Sequence, residues 1–419
     1  MNKIAIVGAG QAGLQLGFAL LAEGYRVTIF TDKTSEEVLN GPTLPVAIQY
    51  FPSLQYEQDL RLNFWYSHDA AKLDMCIFNM FNATGTPLFN ISARLNKAPQ
   101  VVDLRLKYAI WMKEFEKRGG QLIIQPGTIE LLEQCTSVYD AVFVTTGKGA
   151  MGQLFEKDVE RSVLSRPQRH LTMFFVKNCH VVPGLDKDVR INNMNAIEDA
   201  GECIFYNFLH KDHGRVNVLL VEAIPGGVLD LSSNKASVRE QFEYIRDVLR
   251  DLCADVYDKI RYAELLEGEL LKGAVTPYVK KPVGKLPSGR VVMALGDALA
   301  VYDPLAAQGL NAASKAAHYV ATRIIENDGR PFNEAWINDV FGEYWKTARH
   351  SYQIANAMIC GLLPHQQMAF YAASQIPGIA SDIMNNAGQL EKIAHWFNDP
   401  GQTMVYLCQK GFVMDESLV

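Results

Sequence analysis

The sequence predicts an α/β protein in which a parallel-sheet domain is interrupted by a second, sheet-based domain and followed by a helical C-terminal region. Three observations predict it. The apolar run Ile4 to Val7 leads directly into Gly8-Ala9-Gly10-Gln11-Ala12-Gly13 and a helix. Strand-like runs dominate the middle of the chain, at Leu171–Val176, Ile204–Leu209 and Val216–Glu222. From about Phe332 onward the sequence is Met-, Ala- and Ile-rich and mostly helical in pattern.

Ile4 to Val7 is continuously apolar, as a strand buried on both faces requires. The helix after it runs to about Glu23, Gly24 stops it, and Arg26–Phe30 forms the second strand of a βαβ opening. Residues from about Leu44 to Leu95 lack clean periodicity. They are rich in aromatics, among them Tyr50, Phe51, Phe64, Trp65, Phe78 and Phe89, and read as substrate-facing or domain-packing loops. Asp103–Arg118 is helical, because Leu104, Tyr108, Trp111 and Phe115 fall on one face. Gly119-Gly120 ends it, and strands at Gln121–Gln125 and Ala141–Thr145 return to the sheet. A helix at Ser237–Cys253 interrupts the strands of the second domain, and Arg290–Asp297 rejoins the first. The expected boundaries put residues 1–45, 96–165 and 274–330 in a discontinuous cofactor domain. Residues 46–95 and 166–273 make the substrate domain, and 331–419 the C-terminal helical region.

Composition narrows the functional classes. The chain has 419 residues, 48% hydrophobic, with a formal net charge of -6 and no block of like charges. A mildly acidic chain without a basic stripe suits neither nucleic acid nor an anionic membrane. No apolar run approaches the ~18 residues that span a bilayer, and too few residues precede the first glycine for a signal peptide. Seven scattered cysteines with no Cys-x-x-Cys pair give neither a disulfide framework nor a zinc ribbon, which points to a cytoplasmic protein. His210 and His213 are read as residues of a solvated turn, so no metal site is expected. No Ser/His/Asp arrangement or other catalytic side-chain set is visible.

Gly8, Gly10, Gln11, Ala12 and Gly13 carry the first motif. Gly8 allows a tight turn, Gly10 lets backbone approach a pyrophosphate, and Gly13 lets helix and strand pack closely. The helix N-terminus offers free N–H groups and a positive dipole end to phosphates. Thr31 or Asp32, at the end of the second strand, could accept a ribose hydroxyl; Asp32 could equally be a turn residue. The second motif selects FAD. Val291 to Asp297 is a buried strand ending in Gly296-Asp297, and Asp303-Pro304 to Gly309-Leu310-Asn311 then opens a helix. In the aromatic hydroxylase (glutathione reductase-like) fold, the Asp of such a pair binds the ribityl chain. There Pro304, Gly309, Leu310 and Asn311 would place a helix N-terminus at the flavin pyrimidine, where reduced flavin is anionic. Arg105 heads the central helix and would reach the FAD phosphates, the alternative being a surface arginine. The strand Ala141–Thr145 ends in Thr145-Thr146-Gly147-Lys148 rather than Asp-Gly, and no second Gly-x-Gly-x-x-Gly follows. A protein handling reduced flavin without a nicotinamide site needs a separate electron donor.

Together these residues resemble the oxygenase components of the styrene/indole monooxygenases. The resemblance rests on Ile4 to Gly10, Thr31-Asp32, Val102 to Leu106, Thr146-Gly147-Lys148, Leu154 to Lys157, Arg166 to Arg169, Gly296-Asp297, Asp303-Pro304 and Gln308-Gly309. Ile224 to Gly227, Lys281 to Val283 and Leu286 to Arg290 are nearer the indole branch. One segment departs. Pro45, Ala47 and Gln49, in a loop the family places near the flavin and substrate, match neither the Asn-x-Val-x-His pattern of styrene enzymes nor the Ser-x-Gln-x-Met pattern of indole enzymes. The resemblance implies a two-component flavin monooxygenase. An NADH-dependent flavin reductase would supply reduced FAD, and reaction with O2 would give a C4a-(hydro)peroxyflavin that epoxidises or sulfoxidises a small apolar aromatic. It leaves room for a homodimer. Two alternatives remain: a single-component NAD(P)H-dependent hydroxylase, and an FAD-binding reductase-like protein without oxygenase activity.

Overall fold

The computed structural model describes residues 3–179, 189–327 and 329–413. The chain divides into two compact units: 1–66 with 103–166 and 276–352, and 67–102 with 167–275 and 353–419. These limits differ from the sequence expectation at three main places. Residues 46–66 group with the first unit, residues 96–102 with the second, and the C-terminal helical region is shared, with 331–352 in the first unit and the remainder in the second.

The first unit is built on a six-stranded sheet. Its strands run, edge to edge, Val283–Lys285, Val291–Ala294, Ala141–Val144, Lys3–Val7, Arg26–Thr31 and Gln121–Ile124. All neighbours are parallel except the first two. Strand Lys3–Val7 is apolar and buried from Ile4 to Val7, as a strand inside a parallel sheet requires. Helices Gln11–Ala22, Leu104–Lys117 and Gln308–Ile325 share its core, in which Phe18 meets Trp111 and Phe115 edge-on at 6.3 and 5.4 Å. The third helix presents Ala313, Ala316 and Ala317, whose small side chains let it lie close to the first. Asp103 starts the central helix by accepting the Arg105 N–H at 3.0 Å, and Gly119, at φ +92°, closes it.

The second unit carries a seven-stranded sheet in the order Glu264–Ala274, His170–Lys177, Gly214–Ala223, Gly201–His210, Ile191–Ile197, Met75–Phe81 and Pro87–Arg94. Helix Val238–Leu252, opened by a Ser237/Glu240 capping box, buries Phe242, Ile245 and Leu249 with Phe174, Phe205 and Leu219. Helices after residue 353 pack Phe370, Ile379 and Trp396 with Ile91, Phe78 and Phe89. Two strands, Met75–Phe81 and Pro87–Arg94, lie where loops were expected, and two more, Ile191–Ile197 and Glu264–Ala274, lie in segments to which the sequence reading assigned no element. In Met75–Phe81 and Ile191–Ile197 the cause is polar: Asn79, Asn193 and Asn195 interrupt the apolar alternation. They bond one another instead, Asn79 to Asn195 at 2.9 Å and Asn195 to Asn193 at 2.6 Å. Lys259 reaches into this seam and donates to Asn195 Oδ1 at 3.1 Å. His210 also departs from expectation. It is buried at a strand end rather than in a solvated turn, with its Nε2 2.9 Å from Glu269. The described residues contain no helix long and apolar enough to cross a membrane and no group of three or more acidic, His or Cys side chains able to hold a metal.

Burial lowers the Lys259 ammonium below its ordinary value of 10.5. Between the lowered value and 10.5 the unfolded chain binds more protons than the folded one, so the stability of this unit rises with pH in that window. Lys259→Met should show a smaller alkaline rise in the urea midpoint than the parent. An identical rise would place the titrating group elsewhere.

Candidate active site

Every residue singled out as cofactor-facing lies in the first unit, and two backbone approaches join the motifs. A Cβ on Gly13 would sit 2.0 Å from the Gly8 carbonyl oxygen, so the helix presses directly on the turn that precedes it. A Cβ on Gly296 would lie 3.0 Å from Ala12 Cβ, and one on Gly147 would lie 2.5 Å from the Asp297 carbonyl oxygen. The first motif, the Gly-Asp pair and the Thr146-Gly147-Lys148 turn thus form one cluster. Gly8 takes φ +118° and Gly296 φ +59°, conformations that favour glycine. Gly10 is different. It caps the first helix with no side-chain partner, and a Cβ there would meet nothing within 4 Å. The open space and the uncapped helix end are what a phosphate needs.

Thr31 is buried at the end of the second strand beside Phe30, whose carbonyl accepts the Gly8 N–H at 2.8 Å; Asp32 is exposed. Asp297 is solvent-accessible, yet the protein around it raises its carboxyl above the ordinary range, with the Lys148 charge acting the other way. Asp303 accepts the Leu305 N–H at 3.0 Å and shapes the turn through Pro304. Ala307, in the left-handed region at φ 51°, then starts helix Gln308–Ile325 with no side-chain cap. Gly309 has no atom within 4 Å of a built Cβ, so this N-terminus is also open backbone, and Leu310 is half-buried beside it.

Three of the singled-out residues are engaged by the protein itself. Arg105 is buried, which sets aside the surface-arginine alternative, and its guanidinium bonds both oxygens of Asp103, the closest at 2.7 Å. Asn311 spends its amide on the protein: Nδ2 donates to the carbonyls of Ile48 and Ala307, and Oδ1 accepts the Tyr50 N–H at 2.9 Å. Gln49 is buried and engaged at both amide atoms, donating to Glu57 and accepting from Lys107 at 2.6 Å. Pro45 is exposed and Ala47 half-buried, so of the three loop residues these two are the ones not tied up in side-chain bonds.

Sequence reasoning missed the groups beneath this loop. Lys107 and Glu57 form an ion pair of 2.5 Å, with side chains 3% and 1% exposed. Gln11 Nε2 also donates to Glu57, at 2.9 Å, and to Gln15, whose own amide donates to the Ser314 carbonyl at 3.0 Å. Tyr108, expected on one face of the central helix with Leu104, Trp111 and Phe115, lies near the same cluster. Burial, and then the charges of Asp297 and Glu57, hold its hydroxyl protonated, while the backbone N–H of Gln11 acts the other way. The available signal was a lysine one turn before Trp111 on the central helix, which sequence alone reads as solvated.

Comparison with known proteins is consistent with this geometry. Solved structures of the flavin-dependent brominase Bmp2 (TM-score 0.66, 13% identity, 98% of this chain and 99% of that chain) and the flavin-dependent halogenase CmlS (TM-score 0.61, 15% identity, 88% and 64%) share the fold. The architecture is therefore the α/β fold of FAD-dependent hydroxylases and halogenases, with a substrate-binding domain and a helical C-terminal region. Residues 147–259 match the family model described as "Styrene monooxygenase A putative substrate binding domain". Styrene monooxygenase StyA of Pseudomonas fluorescens is 29% identical over 331 residues, 77% of each chain. The chain is an FAD-dependent monooxygenase related to styrene monooxygenase.

The two glycines of the first motif separate packing from binding. Gly13→Ala should cost about 1–3 kcal/mol of stability in thermal unfolding, because its methyl group must displace the Gly8 carbonyl. Gly10→Ala should unfold close to the parent. Equal losses would mean that both glycines serve packing alone.

Proposed function

We propose that the chain is the oxygenase component of a two-component flavin monooxygenase. It takes FAD already reduced by a separate NADH-dependent flavin reductase and transfers one oxygen atom of O2 to a small, apolar, electron-rich aromatic such as styrene or indole. The observation that carries this reading is the convergence of the open helix end at Gly10, the Gly296-Asp297 pair and the Thr146-Gly147-Lys148 turn in one cluster. The residues fit FAD. Backbone from Gly8 to Gly13 would hold the pyrophosphate, Thr31 or Asp32 a ribose hydroxyl, and Asp297 the ribityl chain. Pro304, Gly309 and Leu310 would bring the second helix N-terminus to the flavin ring, where its dipole favours negative charge. When bound, reduced FAD would supply the two electrons that activate O2, one atom of which goes to the aromatic and the other to water; the protein supplies orientation and exclusion of bulk water.

Arg105 is held by Asp103 and would serve the phosphates by dividing its guanidinium donors between them and that carboxylate. Pro45 and Ala47 are the loop residues left to meet substrate. The styrene monooxygenase relative supports a small aromatic alkene as substrate. The stretches at Ile224 to Gly227 and Leu286 to Arg290 make indole the first compound to offer.

Asp297→Ala should weaken FAD binding by about tenfold or more, read by flavin fluorescence titration, since a charge-assisted hydrogen bond contributes about 1.5–3 kcal/mol. An unchanged affinity would remove Asp297 from the cofactor site. Under anaerobic conditions, NADH mixed with the FAD-loaded protein should leave the visible flavin absorbance intact until a flavin reductase is added. Bleaching without the reductase would indicate a single-component hydroxylase instead.

A further inference from the structure

Loop 43–53 is tied down from two sides within the first unit. Asn311 holds it through the Ile48 carbonyl and the Tyr50 N–H, at 2.9 Å each. From beneath, Gln49 is gripped by the Glu57 carboxylate and the Lys107 ammonium, which pair with each other at 2.5 Å. One carboxylate oxygen of Glu57 receives Lys107, Gln49 and Gln11 together. Gln11 stands at the first position of the Gly-x-Gly helix, and Asn311 in the first turn of helix Gln308–Ile325. One ion pair and two amides therefore connect the loop to both open helix ends. A buried pair is costly to desolvate and is weak support for stability, whereas its use in fixing one geometry is well attested. Lys107 also lies 4.7 Å from the centre of the Trp111 ring, which leaves its ammonium little freedom.

We propose that the Glu57–Lys107 pair is a positioning element: by gripping the Gln49 amide it sets the placement of Pro45 and Ala47 relative to the cofactor helices, so Gln49 acts as a strut rather than a substrate contact. The functional half of this inference rests on the reading of the site given above; the structural half does not. Glu57 and Lys107 are positioning residues, and no proton transfer is assigned to them.

The test uses the full chain, first without cofactor. Gln49→Leu removes the strut and leaves the ion pair in place; Glu57→Gln with Lys107→Met removes both charges together. In either variant, backbone amides of residues 48–53 should exchange with deuterium about tenfold faster than in the parent, while those of Ile4–Val7 stay at the parent rate. Unchanged exchange at 48–53 in Gln49→Leu, the variant that keeps the pair, overturns the proposal. With FAD and a flavin reductase present, Gln49→Leu should raise the KM for the oxygenated aromatic about tenfold with a smaller change in kcat, and leave FAD affinity within about threefold. A fall in kcat at constant KM would also overturn it, since that pattern assigns Gln49 to the chemistry. If the parent protein oxygenates none of the aromatics offered, the reading of the reaction fails, while the exchange result still decides the strut.

Discussion

The first unit depends on a contact that leaves no room for a side chain. The helix after the first strand comes so near the preceding turn that a methyl group on Gly13 would overlap the Gly8 carbonyl. That approach aims the helix N-terminus, with its uncapped N–H groups, at the space beside Gly10. It also brings Ala12 within reach of Gly296 and so fixes where the turn that follows strand Val291–Ala294 and carries Asp297 arrives. The Thr146-Gly147-Lys148 turn then packs on the Asp297 backbone. Each motif is a short piece of chain with a special backbone. The close approaches turn them into one site.

Beneath the site lies a second constraint of opposite character. Glycines create proximity through absence; Lys107, Glu57, Gln49, Gln11 and Gln15 create it through buried polar groups that must find partners. Removing one member of such a pair typically costs about 3–5 kcal/mol, because the other charge is left stranded. The arrangement therefore permits few alternative placements of the loop. The same principle operates in the second unit, where Asn79, Asn193, Asn195 and Lys259 satisfy one another between sheet and helix. Apolar packing holds each unit together within itself, and the polar seams specify which packing is adopted.

Local patterns made much of this legible in the sequence. The βαβ opening, the central helix from 104 and the strand into Gly296-Asp297 were readable because glycines and apolar runs act over a few residues. Helix Val238–Leu252 was expected within one residue of its observed ends. Strands Met75–Phe81 and Ile191–Ile197 were not, because their asparagines only make sense beside each other, more than a hundred residues apart. Glu57 and Lys107 were hidden for the same reason. A charged residue reads as solvated until its partner is brought to it. Gln49 and Asn311 were singled out as site residues, and their positions stand, but their amides serve the protein. Side-chain direction is a tertiary property that motif spacing does not carry.

The remaining question is chemical, and it concerns where the oxygen goes. The chain has an FAD-dependent monooxygenase fold and relatives, while its loop residues Pro45 and Ala47 differ from both patterns the sequence resembles. The most direct measurement supplies chemically reduced FAD to the purified protein, with no nicotinamide present, in isotope-labelled dioxygen, and offers indole, styrene and an aryl methyl sulfide separately. The account predicts that at least one product carries a single labelled oxygen atom. If all the electrons instead appear as hydrogen peroxide with every compound, the assignment as an oxygenase of small electron-rich aromatics is contradicted.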